Sequence, residues 1–327
     1  MKKATMIKLM DKLLEGECFI VTSHCNPDGD SIGSLTGLCM ALRRLKKKAF
    51  VVMDDAVPAN LEFLMRLSGA SVLEGALPEK YSLIALDCGD AKRLCCSEAV
   101  KEGAESIINI DHHVSNDCFG DVNYVDKEAS STSEIVYYIL KQISKEKKTE
   151  LVDSAIASCL YTGLITDTGN FMYSNAGADS FKMACEIMKI GIDKDSIVKN
   201  LFQSNSYSRM KLLGDALETL SLHGDSIASI ELTQEMFQRH GVDSNSTEGI
   251  IDYARDIENV EIAVLFKEKS KDDIKVSLRS KEYADVNAIA QKFGGGGHVR
   301  AAGCTISDTI ENAKLLVIAE LKKALKL

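Results

Sequence analysis

The first 111 residues alternate short apolar stretches with amphipathic windows, and this alternation constrains the fold more than any other feature. The predicted strands cover residues 18–24, 49–55, 82–88 and 105–111. The predicted helices cover residues 31–47, 59–67, 131–143, 152–166 and 178–190. Strands that alternate with helices form parallel sheets covered by those helices. We therefore expect an α/β fold whose N-terminal part is a mostly parallel sheet with flanking helices.

A second region follows a more polar stretch. The segments "SIVKNLFQS" and "YSRMKLLGDALETLSL" predict a helical linker over residues 192–222. Further strands are predicted after it, at residues 226–233, 260–269 and 273–280. The sequence thus predicts a first domain over residues 1–191, the linker, and a smaller C-terminal α/β domain over residues 223–327.

Composition excludes several classes of protein. The chain has 327 residues, of which 45% are hydrophobic, which suits two domains with apolar cores. No window reaches the roughly 18 apolar residues of a membrane span, so we expect a cytoplasmic protein with no membrane partner. The formal net charge of −9 argues against a long-duplex nucleic acid as partner, although a small anion can still bind at a local site.

Ten cysteines are scattered without a CxxC pair, which favours reduced thiols over a disulfide framework. Cys25 lies between candidate site residues, and we expect the alternation of side chains to turn its thiol away from them.

Polar residues follow three of the first four predicted strands. The first ends at His24 and is followed by Asp28, the third ends around Asp87 and is followed by Asp90, and the fourth ends at the "DHH" of residues 111–113. Because ligands of parallel α/β sheets gather at the carboxyl ends of the strands, we expect these side chains to line one rim.

The donor types on this rim indicate a site for divalent metal ions. The candidate ligands are imidazoles and carboxylates, namely His24, Asp28, Asp30, Asp87, His112 and, from "TGLITDTGNF", Asp167. Such a set suits Mn²⁺ and lacks the thiolates of a structural zinc site. Two like charges 4 Å apart repel by about 4 kcal/mol at an effective dielectric of about 20. The four carboxylates would balance two divalent ions, which is the arrangement used for displacement at phosphorus.

Each motif also has a simpler interpretation. Asn-Pro-Asp-Gly is good turn chemistry, and Asp30 or Ser31 could cap a helix that begins there. The pair after Asp111 could be an exposed turn. However, four of the six histidines fall within these few motifs, at positions 24, 112, 113 and 298, and this concentration favours a shared site.

The C-terminal segment "FGGGGHVRAAG", residues 293–303, suggests a phosphate-binding surface. Consecutive glycines let backbone N–H groups approach a phosphate or nucleotide closely. His298 and Arg300 follow the glycines, and Arg279 ends a predicted strand. Guanidinium groups grip a terminal phosphate through paired hydrogen bonds. The alternative is a flexible hinge or solvated turn.

Taken together, the motifs "HCNPDGDSIGS", "LDCGD", "DHH", "TGLITDTGNF" and "GGGGHVRAAG" resemble, in order and spacing, those of the DHH phosphoesterase superfamily with its DHH-associated C-terminal domain. The resemblance covers nearly the whole chain. It implies a DHH catalytic domain over residues 1–191 and a DHH-associated substrate-binding domain over residues 223–327.

The resemblance also implies residue roles. His24, Asp28 and Asp87 would hold one ion, and Asp30, the shared Asp87, His112 and Asp167 would hold the other. Three residues would act in catalysis: Asp87 as the bridge, His113 facing the scissile phosphate, and Asp111 orienting the neighbouring ligand. The substrate would be bound by Arg279, Gly295, Gly296, Gly297, His298 and Arg300.

The implied activity is Mn²⁺-dependent hydrolysis of short oligoribonucleotides and linear dinucleotides to mononucleotides, and of the 3′-phosphate of 3′-phosphoadenosine 5′-phosphate (pAp). A hydroxide held between two ions, most often Mn²⁺, would attack phosphorus. The runner-up is a soluble cyclic-di-AMP or linear-dinucleotide phosphodiesterase. Two alternatives belong to other functional classes: a sensor that binds a nucleotide without hydrolysing it, and a scaffold for protein interactions. The sequence leaves the oligomeric state open between a monomer and a homodimer.

Overall fold

The computed structural model describes residues 2–326 with the exception of 71, 74, 244–246 and 248. The chain separates into two units, Met1–Ser204 and Asn205–Leu327. The division falls inside the segment predicted as a linker, and the predicted domain boundaries stay a prediction.

A five-stranded parallel sheet forms the centre of the first unit. Its strands are β1 (Cys18–Thr22), β2 (Lys48–Val51), β3 (Ser82–Leu86), β4 (Ser106–Asp111) and β5 (Val122–Val125). Their order in the sheet is β2-β1-β3-β4-β5, with every pair parallel. The expected α/β fold with a parallel sheet is confirmed. Strand β5 was not predicted, because four residues that alternate between buried and half-buried positions are too short to give a clear pattern.

Apolar residues pack against both faces of this sheet. The helices of this unit are α1 (Lys2–Glu15), α2 (Gly29–Arg44), α3 (Glu62–Ser68), α4 (Glu98–Glu102), α5 (Thr132–Lys147), α6 (Ser154–Asp167), α7 (Ala178–Ile190) and α8 (Lys194–Phe202). Neighbouring strand residues belong to different apolar clusters: Val21 and Ile84 pack in one, whereas Ile20 and Leu83 pack in the other. The strands are therefore buried on both sides, as parallel strands are in α/β proteins.

Close packing between α2 and α6 depends on glycine. A Cβ atom added to Gly33 would lie 2.5 Å from the carbonyl oxygen of Cys159 and 2.9 Å from the backbone nitrogen of Gly163. The two helix backbones can therefore approach only because this position has no side chain. This packing fixes the helix that begins beside Asp30 against the helix that ends at Asp167.

The second unit contains a mixed six-stranded sheet. Its strands are β6 (Ser221–Leu222), β7 (Ile227–Leu232), β8 (Ile262–Ser270), β9 (Asp273–Ser280), β10 (Gly296–His298) and β11 (Ala301–Ile306). Their order is β10-β11-β9-β8-β7-β6, and only the β7–β8 pair is parallel. The helices of this unit are α9 (Tyr207–Glu218), α10 (Gln234–His240), α11 (Ile250–Arg255), α12 (Val286–Gln291) and α13 (Ile310–Leu325).

The glycine run of the second unit is part of the sheet. Gly296 and Gly297 pair with Gly303 and Ala302 in the antiparallel hairpin formed by β10 and β11. The hinge or solvated turn that was the alternative for this segment does not describe these two positions. Within the described part of the chain, no helix combines the length and apolar character that a membrane crossing requires.

Candidate active site

Strand ends of the first unit bring predicted site residues together at one edge of the sheet. His24 follows β1, and its Nε2 lies 3.7 Å from Oδ2 of Asp28 and 3.5 Å from Oδ2 of Asp87, which follows β3. One ligand atom from each of these three residues lies within 4.8 Å of the others. This group can therefore hold one metal ion.

A second group lies beside the first. Nε2 of His112, after β4, lies 3.5 Å from Oδ1 of Asp87 and 3.4 Å from Oδ2 of Asp167, at the end of α6. Ligand atoms of Asp30, His112 and Asp167 all lie within 4.8 Å of one another. Asp87 thus faces His24 with one carboxylate oxygen and His112 with the other, so a carboxylate at this position can contact both groups.

The imidazole rings are held in an orientation that suits metal binding. Nδ1 of His24 donates to the carbonyl oxygen of Cys25 at 2.9 Å, and Nδ1 of His112 donates to that of Ala129 at 3.3 Å. With Nδ1 donating a proton, the neutral ring presents an unprotonated Nε2, the ligand form of histidine. In both rings that Nε2 faces the carboxylates.

The N-terminus of α5 holds one of these carboxylates. The backbone N–H groups of Thr132 and Ser133 donate to the two oxygens of Asp30 at 2.6 and 2.8 Å. Asp30 is 1% exposed, so its charge depends on these donors and on the positive end of the helix. The hydroxyl of Thr132 also donates to Oδ1 of Asp87 at 3.2 Å.

Sequence reasoning did not identify Thr132. A local signal was present, because Ser131 and Glu134 have the spacing of a capping box, and Ser131 does accept a hydrogen bond from the backbone N–H of Glu134. That signal locates the start of a helix. It does not reveal that the helix points at carboxylates 102 and 45 residues away.

The clustered acids are difficult to ionise together without a cation. Burial, and then the charge of Asp87, raises the pKa of Asp30 to about 7. Burial and the charges of Asp30 and Asp87 also hold the pKa of Asp167 well above its usual range. For His24, burial lowers the pKa, but its contacts with Asp28 and Asp87 outweigh burial and raise it to about 11. A divalent cation can replace the protons that these groups otherwise retain, so the donor set fits metal ions.

Asp87 has an uncommon backbone conformation. Its φ angle is +54°, in the left-handed region that residues other than glycine rarely adopt, and the residue is only 2% exposed. Residues held in sparsely populated backbone regions occur frequently at functional sites. The conformation turns the chain after β3 so that the carboxylate faces both histidines.

His113 is oriented by a separate polar network. Its Nδ1 lies 2.6 Å from Oδ1 of the fully buried Asp111 and 3.6 Å from Oδ1 of Asp87. Asn116 donates to the other oxygen of Asp111 at 2.6 Å and to Oδ1 of Asn109 at 2.8 Å. The role that the resemblance implies for Asp111, orienting a neighbouring ligand, stays a prediction; its carboxylate bonds to His113 and Asn116. Asn116 was not identified from the sequence, because a single Asn in a loop carries no distinctive pattern.

The remaining predicted residues lie on the second unit. Arg279 on β9 pairs with Ala301 on β11, directly after Arg300. Nη1 of Arg300 donates to the carbonyl oxygen of Ala284 at 2.8 Å, and Nη1 of Arg279 donates to that of Leu278 at 3.0 Å. The two arginines therefore lie at the same end of two neighbouring strands of the sheet. The side chain of His298 lies outside the described part of the structure.

The structure explains the presence of glycine differently at different positions of the C-terminal run. Gly297 has a φ angle of +149°, and a Cβ there would collide with the carbonyl oxygen of Ala301. A Cβ at Gly295 would lie 2.6 Å from that of Cys304. At Gly296 a Cβ would meet only Oδ1 of Asn287, at 3.8 Å, among the described residues. The strand pairing thus explains Gly295 and Gly297, whereas Gly296 faces open space that a ligand can occupy.

Imidazole and carboxylate donors at the carboxyl edge of a parallel α/β sheet are typical of an enzyme site for divalent metal ions. The model for the DHH family, N-terminal domain, matches residues 18–164, and that for the DHHA1 domain matches residues 227–327. This chain belongs to the DHH family and is a metal-dependent phosphoesterase.

Known proteins are similar over nearly the full length. The bifunctional oligoribonuclease and PAP phosphatase NrnA of Thermus thermophilus is 34% identical over 307 residues, which cover 93% of this chain and 89% of the relative. The probable NrnA of Streptococcus mutans is 29% identical over 321 residues, covering 97% and 98%. An exopolyphosphatase-related protein of Bacteroides fragilis superimposes with a TM-score of 0.88 at 27% identity, covering 99% of this chain and 98% of that structure.

Proposed function

We propose that this protein is a Mn²⁺-dependent phosphodiesterase that degrades short oligoribonucleotides and linear dinucleotides to mononucleotides, and that it also removes the 3′-phosphate of pAp. The observation that carries the proposal is the pair of adjoining donor groups that share Asp87, in a chain that matches an oligoribonuclease and PAP phosphatase over 89% of the relative's length.

The donor groups support two metal sites. His24, Asp28 and Asp87 would hold one ion, and Asp30, Asp87, His112 and Asp167 would hold the other. The donors are nitrogen and carboxylate oxygen without sulfur, which suits Mn²⁺. When bound, the ions would activate a water molecule and polarise the phosphoryl oxygens.

Residues around these ligands would position them for the reaction. Thr132 fixes Asp87 by its hydroxyl and Asp30 by its backbone N–H. Asp111 holds the ring of His113 through Nδ1, and Nε2 is the ring nitrogen that would donate to a phosphoryl oxygen. His113 would thereby neutralise charge that develops on the phosphate, while the chain itself supplies no covalent nucleophile.

Residues of the second unit would bind the substrate. Arg279 lies on β9 and Arg300 directly precedes β11, and each guanidinium group could bond to phosphate oxygens. The open face at Gly296 would let backbone groups approach the phosphate or the nucleotide. The same surface would also include the neighbours of Gly296 along the chain, namely Gly295, Gly297 and His298.

The direct test is product analysis with purified full-length protein. Labelled RNA of two to five nucleotides, pApA, pAp, cyclic-di-AMP and pyrophosphate are incubated in parallel with Mn²⁺, Mg²⁺ or chelator. We expect mononucleotides from the short RNAs and pApA, AMP from pAp, and the highest rate with Mn²⁺. If the short RNAs, pApA and pAp all remain intact with Mn²⁺, the proposal is wrong. Selective cleavage of cyclic-di-AMP would instead favour a cyclic-dinucleotide phosphodiesterase.

A further inference from the structure

Three side chains outside the His–Asp cluster also converge. The sulfur atoms of Cys25 and Cys95 and a carboxylate oxygen of Asp55 all lie within 4.8 Å of one another. They come from three different loops: Cys25 follows β1, Asp55 follows β2, and Cys95 follows a single 3₁₀ turn at Ala91–Arg93. Neither the family resemblance nor the proposed reaction gives these three residues a task.

Backbone pairing fixes the two thiols on one side of the chain. His24 forms an isolated antiparallel bridge with Leu94. On either side of it, the N–H of Cys25 donates to Arg93 at 2.7 Å and the N–H of Cys95 donates to Ser23 at 2.8 Å. Successive side chains in such a pairing point to opposite faces. The thiols of Cys25 and Cys95 therefore lie on the face opposite to the imidazole of His24.

Asp55 is tied to both partners. Its backbone N–H donates to the sulfur of Cys95 at 3.2 Å, and its Oδ2 accepts a hydrogen bond from the backbone N–H of Asn26 at 2.6 Å. Burial raises the pKa of the Cys95 thiol to about 11 and outweighs this N–H donor, which lowers that pKa, so a bound cation would have to displace the thiol proton. The carboxylate is thus held toward the thiols by residues adjacent to each of them.

We propose that Cys25, Cys95 and Asp55 form a site for one thiophilic divalent cation of the Zn²⁺ class, separate from the His–Asp cluster. Thiolates select zinc-like ions, whereas the imidazole and carboxylate cluster suits harder ions such as Mn²⁺. Three protein ligands with one further position taken by water is a common zinc arrangement. Cys95 is 1% exposed, and the side chain of Asp55 reaches solvent, so an ion could enter from that side.

An ion at this site would link three loops, one of which carries His24 and Asp28. It would therefore restrain the segment that bears ligands of the proposed catalytic ions, without contacting the substrate.

Co²⁺ is the probe that distinguishes the two sites. Bound to thiolate, it absorbs strongly in the near ultraviolet through sulfur-to-metal charge transfer, whereas histidine and carboxylate ligands give no such band. Reduced, chelator-treated full-length protein is titrated with Co²⁺. At saturation we expect a band intensity that corresponds to one thiolate-bound Co²⁺ per chain, and we expect the band to disappear when Zn²⁺ is added.

Variants assign the band to these residues. Cys25→Ser and Asp55→Asn should each weaken Co²⁺ binding at this site by at least about tenfold. The exposed Cys118 supplies the matched control, since Cys118→Ser should leave the band unchanged. Asp87→Ala should also leave it unchanged, which separates this result from any failure of the proposed hydrolase. Thermal melts confirm that each variant is folded.

Three results would overturn the inference. The first is reduced protein that binds Co²⁺ without a charge-transfer band, and the second is a band that persists in Cys25→Ser and Asp55→Asn. The third concerns the oxidation state of the thiols. Loss of two free thiols on purification in air, with no metal retained, would show that Cys25 and Cys95 form a disulfide instead.

Discussion

The hydroxyl of Thr132 donates to Oδ1 of Asp87 at 3.2 Å, while the backbone N–H of the same residue donates to Oδ2 of Asp30 at 2.6 Å. One residue thus orients two carboxylates that lie far from it in the sequence. Thr132 is fully buried, so water cannot readily replace either hydrogen bond.

We expect Thr132→Val to lower kcat by about 10- to 100-fold with little change in KM, because the isosteric change removes only the hydroxyl that orients a ligand. Steady-state kinetics on a labelled dinucleotide measures both constants. Thr132→Ser keeps the hydroxyl and should retain most of the activity. Wild-type activity in Thr132→Val would show that the hydrogen bond to Asp87 has no role in turnover.

Asp87→Ala and Arg300→Ala should affect different kinetic constants. Asp87 faces both histidines of the proposed metal groups, so its loss should abolish turnover and reduce bound metal. Arg300→Ala should mainly raise KM or shift the preferred substrate length, because its proposed partner is the substrate phosphate.

Because Arg300 also donates to Ala284, a thermal melt must accompany the kinetics of this variant. Metal content by mass spectrometry distinguishes the two variants further, since only Asp87→Ala should lose ions. An equal loss of kcat in both folded variants would contradict this division of roles.

The stabilisation that divalent ions give should increase with pH. Burial, followed by the charge of Asp87, raises the pKa of Asp30 to about 7. A carboxyl whose pKa is higher in the folded state than its unfolded value of about 3.9 stabilises the metal-free fold below that value, and this contribution is lost as pH rises toward 7. His24, with its pKa raised to about 11, acts in the same direction above its unfolded value of about 6.5.

Thermal melts with chelator and with Mn²⁺ test this expectation. The increase in Tm on adding Mn²⁺ should be larger at about pH 8 than at about pH 5, because the cation takes the place of the lost protons. Asp30→Asn removes one of the titrating groups and should flatten the dependence. The same increase in Tm at both pH values would be inconsistent with proton retention by this cluster.

Two helical glycines should respond in opposite directions to alanine. Both substitutions gain about 1 kcal/mol of helix propensity. At Gly214 in α9 a Cβ would meet nothing within 4 Å, so Gly214→Ala should raise Tm. At Gly163 in α6 it would collide with Oγ of Ser133 and lie 2.6 Å from Oδ1 of Asp30.

Gly163→Ala should therefore destabilise the fold by about 1–3 kcal/mol through overpacking and weaken metal binding by displacing Asp30. Denaturant melts give the stability, and metal titration gives the affinity. If Gly163→Ala is as stable as Gly214→Ala and binds metal normally, the close packing around Asp30 is not needed for the site.

The parallel sheet could be predicted because apolar residues repeat with different periods in strands and in helices. Because the carboxyl ends of parallel strands lie at one edge of the sheet, the same reasoning placed His24, Asp87 and His112 together. It could not reveal Thr132 or Asn116, since their contacts depend on where α5 and the loop after β4 pack, and distant partners leave no local pattern. The hairpin of β10 and β11 was missed because glycine is uncommon in strands. The roles of individual site residues stay predictions.

The left-handed backbone of Asp87 has a consequence for how this chain can change over generations. A non-glycine residue in that region costs about 1 kcal/mol, and the carboxylate also repels its acidic neighbours. A library selected for thermal resistance alone, in metal-free medium, should accumulate Gly or Asn at position 87. Selection for growth that requires the enzyme should restore Asp. The residue found at position 87 would then show whether activity or stability had been under selection.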